Sequence, residues 1–233
     1  MNNKKDMNDY KEAIKRPFSD WKKLGIGFLL YLIPIVNIIT GFFAWGYLLE
    51  CSHTSMKKKK ELPAWENLGN LFTKGLLGLA ISLIYALPSI ILGIGFMWKL
   101  IQKISPITDI TEPLQMLNLV KENIGGEIIV LGLVLLITAY ITPMALIFFS
   151  KKYEFKDSFK INDLLRKVFT WKYFLAWAFL AILGILISII SQGIINLSQE
   201  TMIIPTIINA FTSIFIGITR YTLLGKTLFL IEK

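Results

Sequence analysis

Residues Leu24–Leu49 read LGIGFLLYLIPIVNIITGFFAWGYLL, 26 residues without a charge and with Pro34, Asn37, Thr40 and Gly41 at their centre. How this stretch is threaded decides the architecture of the chain. A proline removes a backbone donor and clashes with the preceding turn. Two readings are open: one kinked, tilted span, or a tight helical hairpin turning near Pro34–Asn37. Two full spans need about 40 residues, so the limbs of a hairpin would be short. Trp21, Lys22, Lys23 and His53 can lengthen them by snorkelling at the interface. A turn at that depth must be covered by protein, because lipid satisfies no backbone group.

Four further blocks lie downstream. Leu76–Trp98 and Ile128–Ser150 each hold 23 residues without a charge, Tyr173–Ser198 holds 26, and Thr201–Thr219 holds 19. A bilayer core about 30 Å thick takes about 20 helical residues, and all four qualify. Over the 233 residues, 54% are hydrophobic and 18% charged, against about 45–50% and 25% in a soluble domain. The single Cys51 excludes an intrachain disulfide framework, and this composition excludes disorder. A buried helix of a soluble protein explains one such block, not four.

The net charge of +9 has a position as well as a size. Lys and Arg number seven in residues 1–23, five in 51–75, three in 99–127 and seven in 151–172. If the first block crosses once, the cations divide almost evenly between the two sides. If it is a hairpin, 21 of the 25 fall inside and three outside, with Arg220 left aside. Cytoplasmic loops are enriched in Lys and Arg, so the count selects the hairpin. It predicts six membrane helices, the first two short, with both termini cytoplasmic in the cell membrane. The mixed-charge residues 1–23 carry no cleavage pattern of a secretory signal.

Amphipathic stretches flank the spans. Met7, Tyr10, Ala13 and Ile14 recur at helical spacing, as do Ile161, Leu164, Leu165 and Val168. Such helices lie in the interface with cations toward anionic lipid, or simply extend the next span. On the outer side, Thr111 would cap a helix with Pro113 in its first turn and a Leu114, Leu117, Val120 stripe. Lys57, Lys58, Lys59 and Lys60 form a run of four cations. It is a topology signal or a contact for lipid headgroups or a partner. No nucleic-acid-binding motif occurs. Phe18-Ser19, Phe72-Thr73 and Phe169-Thr170 each precede an apolar block, a faint echo of duplicated hairpins.

Catalytic signals are sparse. Cys51 and His53 cannot close a four-ligand zinc site, and residues two apart on a helix point away from each other. No Walker loop, dinucleotide loop, HExxH or nucleophile elbow is present. None of the 16 acidic residues lies inside a membrane block, which argues against intramembrane proteolysis and proton-coupled transport. Asn37, Asn196 and Asn209, with Tyr85, Tyr140 and Gln192, are polar groups within the blocks. They line a pathway or make helix–helix hydrogen bonds. Arg220 follows 19 apolar residues and is placed at the cytoplasmic interface, as an anchor or a lipid-phosphate contact, with TLLGKTLFLIEK continuing along the surface. The GIG triplets at 25–27 and 93–95 suit close helix packing.

The segment ELPAWENLGNLFTKGLLGLAISLIYALP (61–88) has a Leu-Pro-x-Trp element ahead of a span. It resembles an uncharacterised prokaryotic integral membrane family, Domain of Unknown Function 4013. LIPIVNIITGFFAWGYLL (32–49) and ITPMALIFFSKKYEFKDSFKINDLL (141–165) are similar to other segments of that family, and the resemblance covers roughly residues 17–225. Its most specific residues are Leu62-Pro63-Ala64-Trp65, Gly75, Tyr85 and Pro88; the family usually has an acidic residue where this chain has Ala64. The resemblance implies an integral membrane protein of bacteria or archaea and supplies no activity or ligand. Physically, Pro63 is expected to start a helix, Trp65 to anchor it at the interface or dock a partner, and Glu66 to favour its dipole.

The expectation is therefore an all-α transmembrane helical bundle of about six helices in one domain, residues 1–233, with 1–20 a cytoplasmic interfacial segment. The function expected is a non-enzymatic membrane scaffold that binds lipid or a partner, without cofactor or metal. A small permease or lipid-handling transporter working as an oligomer is the alternative.

Overall fold

A computed structural model describes the backbone of residues 3–32, 37–104, 113–197 and 203–232, with side chains over 7–32, 39–102, 125–196 and 203–232. The described residues are helical with no strand. The helices are α1 (Asn3–Lys15), α2 (Trp21–Leu32), α3 (Asn37–Met56), α4 (Leu68–Ile104), α5 (Pro113–Lys152), α6 (Ile161–Val168), α7 (Trp171–Leu197) and α8 (Ile203–Ile231). Short 3-10 turns, Arg16–Ser19 and Phe155–Phe159, precede α2 and α6. Four helices are long and apolar enough to cross a membrane: Leu68–Gln102, Gly125–Lys152, Trp171–Asn196 and Ile203–Ile231. They correspond to the four downstream blocks. The first block consists of two helices, α2 and α3, which pack on each other.

The chain divides into two compact units, Met1–Ile81 with Pro143–Lys233, and Ser82–Thr142. In the larger unit α8 is the central helix, in contact with α1, α2, α3 and α7. Of its apolar stretch 56% is buried, against 6% for α7, so α8 is largely enclosed by protein and α7 is largely open. Fully buried Tyr47, Leu49, Ile214, Ile218, Leu223 and Leu224 fill the interior. Small residues let α8 approach α3: a methyl group on Gly217 would meet the Leu48 side chain at 2.8 Å, and one on Gly225 the Ser52 carbonyl at 2.7 Å.

This corrects the expectation for the C-terminus. Residues after Arg220 do not run along the surface. Tyr221, Thr222, Leu223, Leu224, Gly225, Thr227 and Leu228 are buried within a continuous α8. Thr227 Oγ1 donates to the Leu223 carbonyl at 2.8 Å, so its hydroxyl is satisfied inside the helix and can be buried.

Helix starts follow capping chemistry. Asp20 Oδ1 accepts from the Lys22 and Lys23 amides, both at 3.1 Å, and begins α2. Thr170 Oγ1 accepts from the Tyr173 amide at 3.4 Å and begins α7. Phe72-Thr73, the third member of the echo, lies inside α4 and starts nothing. Pro63 does not start α4 either. The chain is non-helical from Lys59 to Asn67, and Asn67, with a left-handed φ of 52°, caps α4 through its side chain to the Asn70 amide at 3.3 Å. Leu164 and Val168 of α6 are fully buried while Ile161 is exposed. The expected cap at Thr111 and its Leu114 stripe lie outside the described residues and side chains.

The smaller unit, considered by itself, pairs the second half of α4 with the first part of α5. Ser89 Oγ lies 3.2 Å from Thr138 Oγ1, and Lys99 pairs with Glu127, an antiparallel arrangement. Pro88 sits inside α4 without ending it.

Candidate functional site

The larger unit gathers the ends of three segments around one buried cation. Arg16, in the turn before α2, is only 4% exposed. Its Nη1 donates to the Cys51 carbonyl at 2.7 Å and to Thr222 Oγ1 at 3.0 Å. Its Nη2 donates to Thr54 Oγ1 at 2.6 Å and to the Glu61 carbonyl at 3.0 Å. The side chain thus ties the N-terminal segment to α3, α8 and the Leu-Pro-x-Trp segment. Every acceptor is neutral, and Nε has no hydrogen-bond partner. Burial pulls the guanidinium below its usual pKa, yet a guanidinium stays protonated.

Above Arg16 opens a cavity of about 460 Å3, lined by Asp9, Glu12, Lys15, Ser19, Lys58, Lys59, Lys60, Lys226, Phe229 and Leu230 among others. Lys226 pairs with both Asp9, at 3.1 Å, and Glu12. That hydrogen bond holds the Glu12 carboxyl below the usual range. Lys15, Lys59 and Lys60 make no ion pair among the described residues, and Lys58 Nζ lies 5.0 Å from the Phe229 ring centroid. Lys57 is exposed and does not line the cavity.

The Leu-Pro-x-Trp element forms the neighbouring wall. Lys23 Nζ donates to the Leu62 carbonyl at 2.8 Å, and Tyr47 OH to the Pro63 carbonyl at 3.2 Å. Trp65 stacks on Tyr47 with centroids 3.7 Å apart and planes at 4°, and its Nε1 donates to the Lys23 carbonyl at 2.9 Å. Half-buried, the ring clamps α2 and α3 to the connector.

A second polar cluster lies where α3, α4 and the end of α5 meet. Glu50 Oε2 accepts from Lys74 Nζ at 2.6 Å and from Tyr153 OH at 2.5 Å. Lys74 Nζ also sits 3.8 Å over the Tyr153 ring. Burial acts to raise the Glu50 carboxyl, but the Lys74 and Tyr153 hydrogen bonds prevail and hold it below its usual value. His53 Nδ1 lies 2.8 Å from the Ser150 carbonyl. Cys51 is fully buried, and burial pushes its thiol up to about 12. Among the described residues no three His, Cys, Asp or Glu side chains converge as metal ligands.

The other sequence-derived residues are scattered. Arg220 is exposed on α8 and does not line the basic cavity. Asn196 is exposed and accepts from Gln192 Nε2 at 3.0 Å along α7. Asn209 is exposed on α8. Neither borders the apolar groove between α7 and α8, which Ile190, Ile194, Ile207 and Phe211 line. The Asn37 side chain lies outside the described ones. Lys58, Lys59 and Lys60 are brought together with Lys15, Arg16 and Lys226, which sequence reasoning did not single out. The partners of Arg16 and Lys226 are 35 to 217 residues away in the chain, and no local signal marks them.

No curated protein and no solved structure matches the chain. A family described as Protein of unknown function (DUF4013) matches residues 29–196. That match covers most of the sequence, so the chain belongs to this uncharacterised family.

Proposed function

We propose that the chain is a non-enzymatic integral membrane scaffold that binds anionic lipid on its cytoplasmic face. In this reading six segments enter the membrane: α2, α3, α4, α5, α7 and α8. The twelve residues of α2 measure about 18 Å, so α2 and α3 make a short hairpin that stops within the bilayer. The observation that carries the reading is the hydrogen bonding of Arg16. A single kinked first span would hold residues before and after it about 30 Å apart. Arg16 instead touches residues 51, 54 and 61, which supports both regions lying on one side. Lys151–Glu232 at 2.7 Å and Glu50–Tyr153 add the 151–172 connector to that side. The positive-charge count makes it cytoplasmic.

Aromatic side chains support the same face. Phe18 and Trp21 at the start of α2 are 39% and 68% exposed, and Phe169 and Trp171 at the start of α7 are 80% and 59% exposed. Large aromatics left open at the beginning of apolar helices suit the headgroup boundary. Unpaired lysines beside them suit an anionic leaflet, at about 1 kcal/mol per cation.

Cysteine labelling in sealed vesicles tests the threading. Gln102→Cys should label only from outside; labelling from the cytoplasmic side overturns the hairpin. For function, the purified protein in nanodiscs should be more heat-stable in phosphatidylglycerol than in phosphatidylcholine. Equal stability in both removes the lipid-binding reading.

A further inference from the structure

We propose that the cavity beside Arg16 is a site for one phosphate group, which supplies the counter-charge that the protein itself withholds. The lipid form of this inference rests on the membrane reading above; the phosphate chemistry does not. A buried charge is ordinarily paired. The four hydrogen bonds of Arg16 go only to carbonyls and hydroxyls. The two carboxylates lining the cavity, Asp9 and Glu12, are taken by Lys226. With Lys226 the lining holds six cations against these two carboxylates, Glu12 also feeling Lys60, so four positive charges stand in excess in a hollow of about 460 Å3. Arg16 acts through its charge, because its Nη groups are committed to the protein. The lysines supply the donors.

The backbone fixes where Lys58 stands. It adopts a left-handed φ of 59° just past α3, where its amide bonds the Ser55 carbonyl at 2.9 Å and the Lys59 amide bonds the Thr54 carbonyl at 3.0 Å. This helix-terminating position favours glycine, which has no side chain to crowd the left-handed backbone. Here the strained residue carries a lysine to the cavity wall, over Phe229.

The wall beyond the cations is Phe229 and Leu230. A phosphate attached to a hydrocarbon or glycerol fits this pairing of charge and oil. Two sources have that chemistry, an anionic phospholipid headgroup and a soluble phosphate ester.

The test is native mass spectrometry and titration of the purified full chain. Its probes are phosphatidylglycerol, phosphatidylcholine, glycerol phosphate and inorganic phosphate. Lys58→Gly relieves the left-handed residue and keeps the fold, so it separates binding from stability. One phosphatidylglycerol per chain is expected. Its affinity should fall about tenfold in Lys58→Gly and in Lys60→Gln, the loss of one charge-assisted contact, and stay unchanged in Lys57→Gln. If glycerol phosphate or inorganic phosphate binds with the same dependence on Lys58, the site holds and its source is soluble. If phosphatidylglycerol is preferred but Lys57→Gln and Lys58→Gly weaken it equally, the surface reading survives and the site is overturned. If no probe binds in preference to phosphatidylcholine, both fall.

Discussion

In the larger unit, two glycines sit where helix backbones touch, while Gly25, Gly69, Gly184 and Gly193 meet nothing. A methyl group on Gly46 of α3 would collide with the Leu71 carbonyl oxygen of α4, and one on Gly75 of α4 with the Phe42 carbonyl oxygen of α3. In the smaller unit, Gly93, Gly95, Gly125, Gly126 and Gly132 have nothing within 4 Å of such a methyl. Exposed Ile91, Ile94, Leu133 and Leu136 crowd the same stretch of sequence. Among the described residues, only the larger unit has glycines pressed against a neighbouring helix. Hydropathy reports that a helix can enter oil; only packing says whether the oil is protein or lipid.

The largest effect expected follows from that contrast. Gly46→Ala and Gly75→Ala each push α3 from α4 and should destabilise by about 3 kcal/mol or more, the upper range for overpacking. Gly93→Ala and Gly132→Ala should be neutral or gain up to about 1 kcal/mol, because alanine is the better helix former. Denaturant unfolding in detergent measures all four. Equal losses in the two pairs would abolish the distinction between the regions.

Arg16→Met comes next. It removes the four hydrogen bonds to the Cys51 and Glu61 carbonyls and the Thr54 and Thr222 hydroxyls. A loss of about 2–3 kcal/mol is expected, read as a lower unfolding midpoint. A midpoint unchanged from wild type would mean that the connector and α8 are held without it.

Glu50→Gln tests the second polar cluster and should cost about 1–2 kcal/mol at neutral pH. The folded carboxyl sits below the ordinary value of 4.5, so its contribution is present above that pH and is lost as pH falls through the folded pKa. The difference in Tm between wild type and Glu50→Gln should therefore shrink as pH drops from 7 to below 4. A constant difference over that range would assign the cluster's effect to packing rather than charge.

Much of the fold was legible in the charge-free blocks, which α4, α5, α7 and α8 occupy, and in the break at Pro34, on either side of which α2 and α3 lie. The site was less so. The surface course expected after Arg220 failed because a count of charge-free residues does not register what packs against a helix beyond its apolar block. Thr219, Thr222 and Thr227 are buried beside leucines, where small hydroxyl residues pack as closely as alanine. Pro63 misled as a helix start because its neighbours are held by side chains remote in sequence, Lys23 and Tyr47. The lysine run drew attention to Lys58–Lys60 on composition alone. Nothing local marks Arg16 as the cation beneath them, because an arginine five residues ahead of Trp21 looks like any other flanking charge.

The smallest expected effect probes the sparse unit from inside. Ser89 is 6% exposed and meets Thr138 across the antiparallel pair at 3.2 Å. A hydrogen bond between membrane helices contributes about 0.6 kcal/mol on average, since each partner finds an alternative when the helices separate. Ser89→Ala should lower stability by about that amount, and Ser89→Ala with Thr138→Val by little more, because the second change leaves no hydroxyl unpaired. A double-mutant cycle on the unfolding free energy reads this coupling. A coupling well above 1 kcal/mol would make the pair a specific clasp, and the smaller unit would then owe its cohesion to polar contacts rather than to the fit of its apolar surfaces.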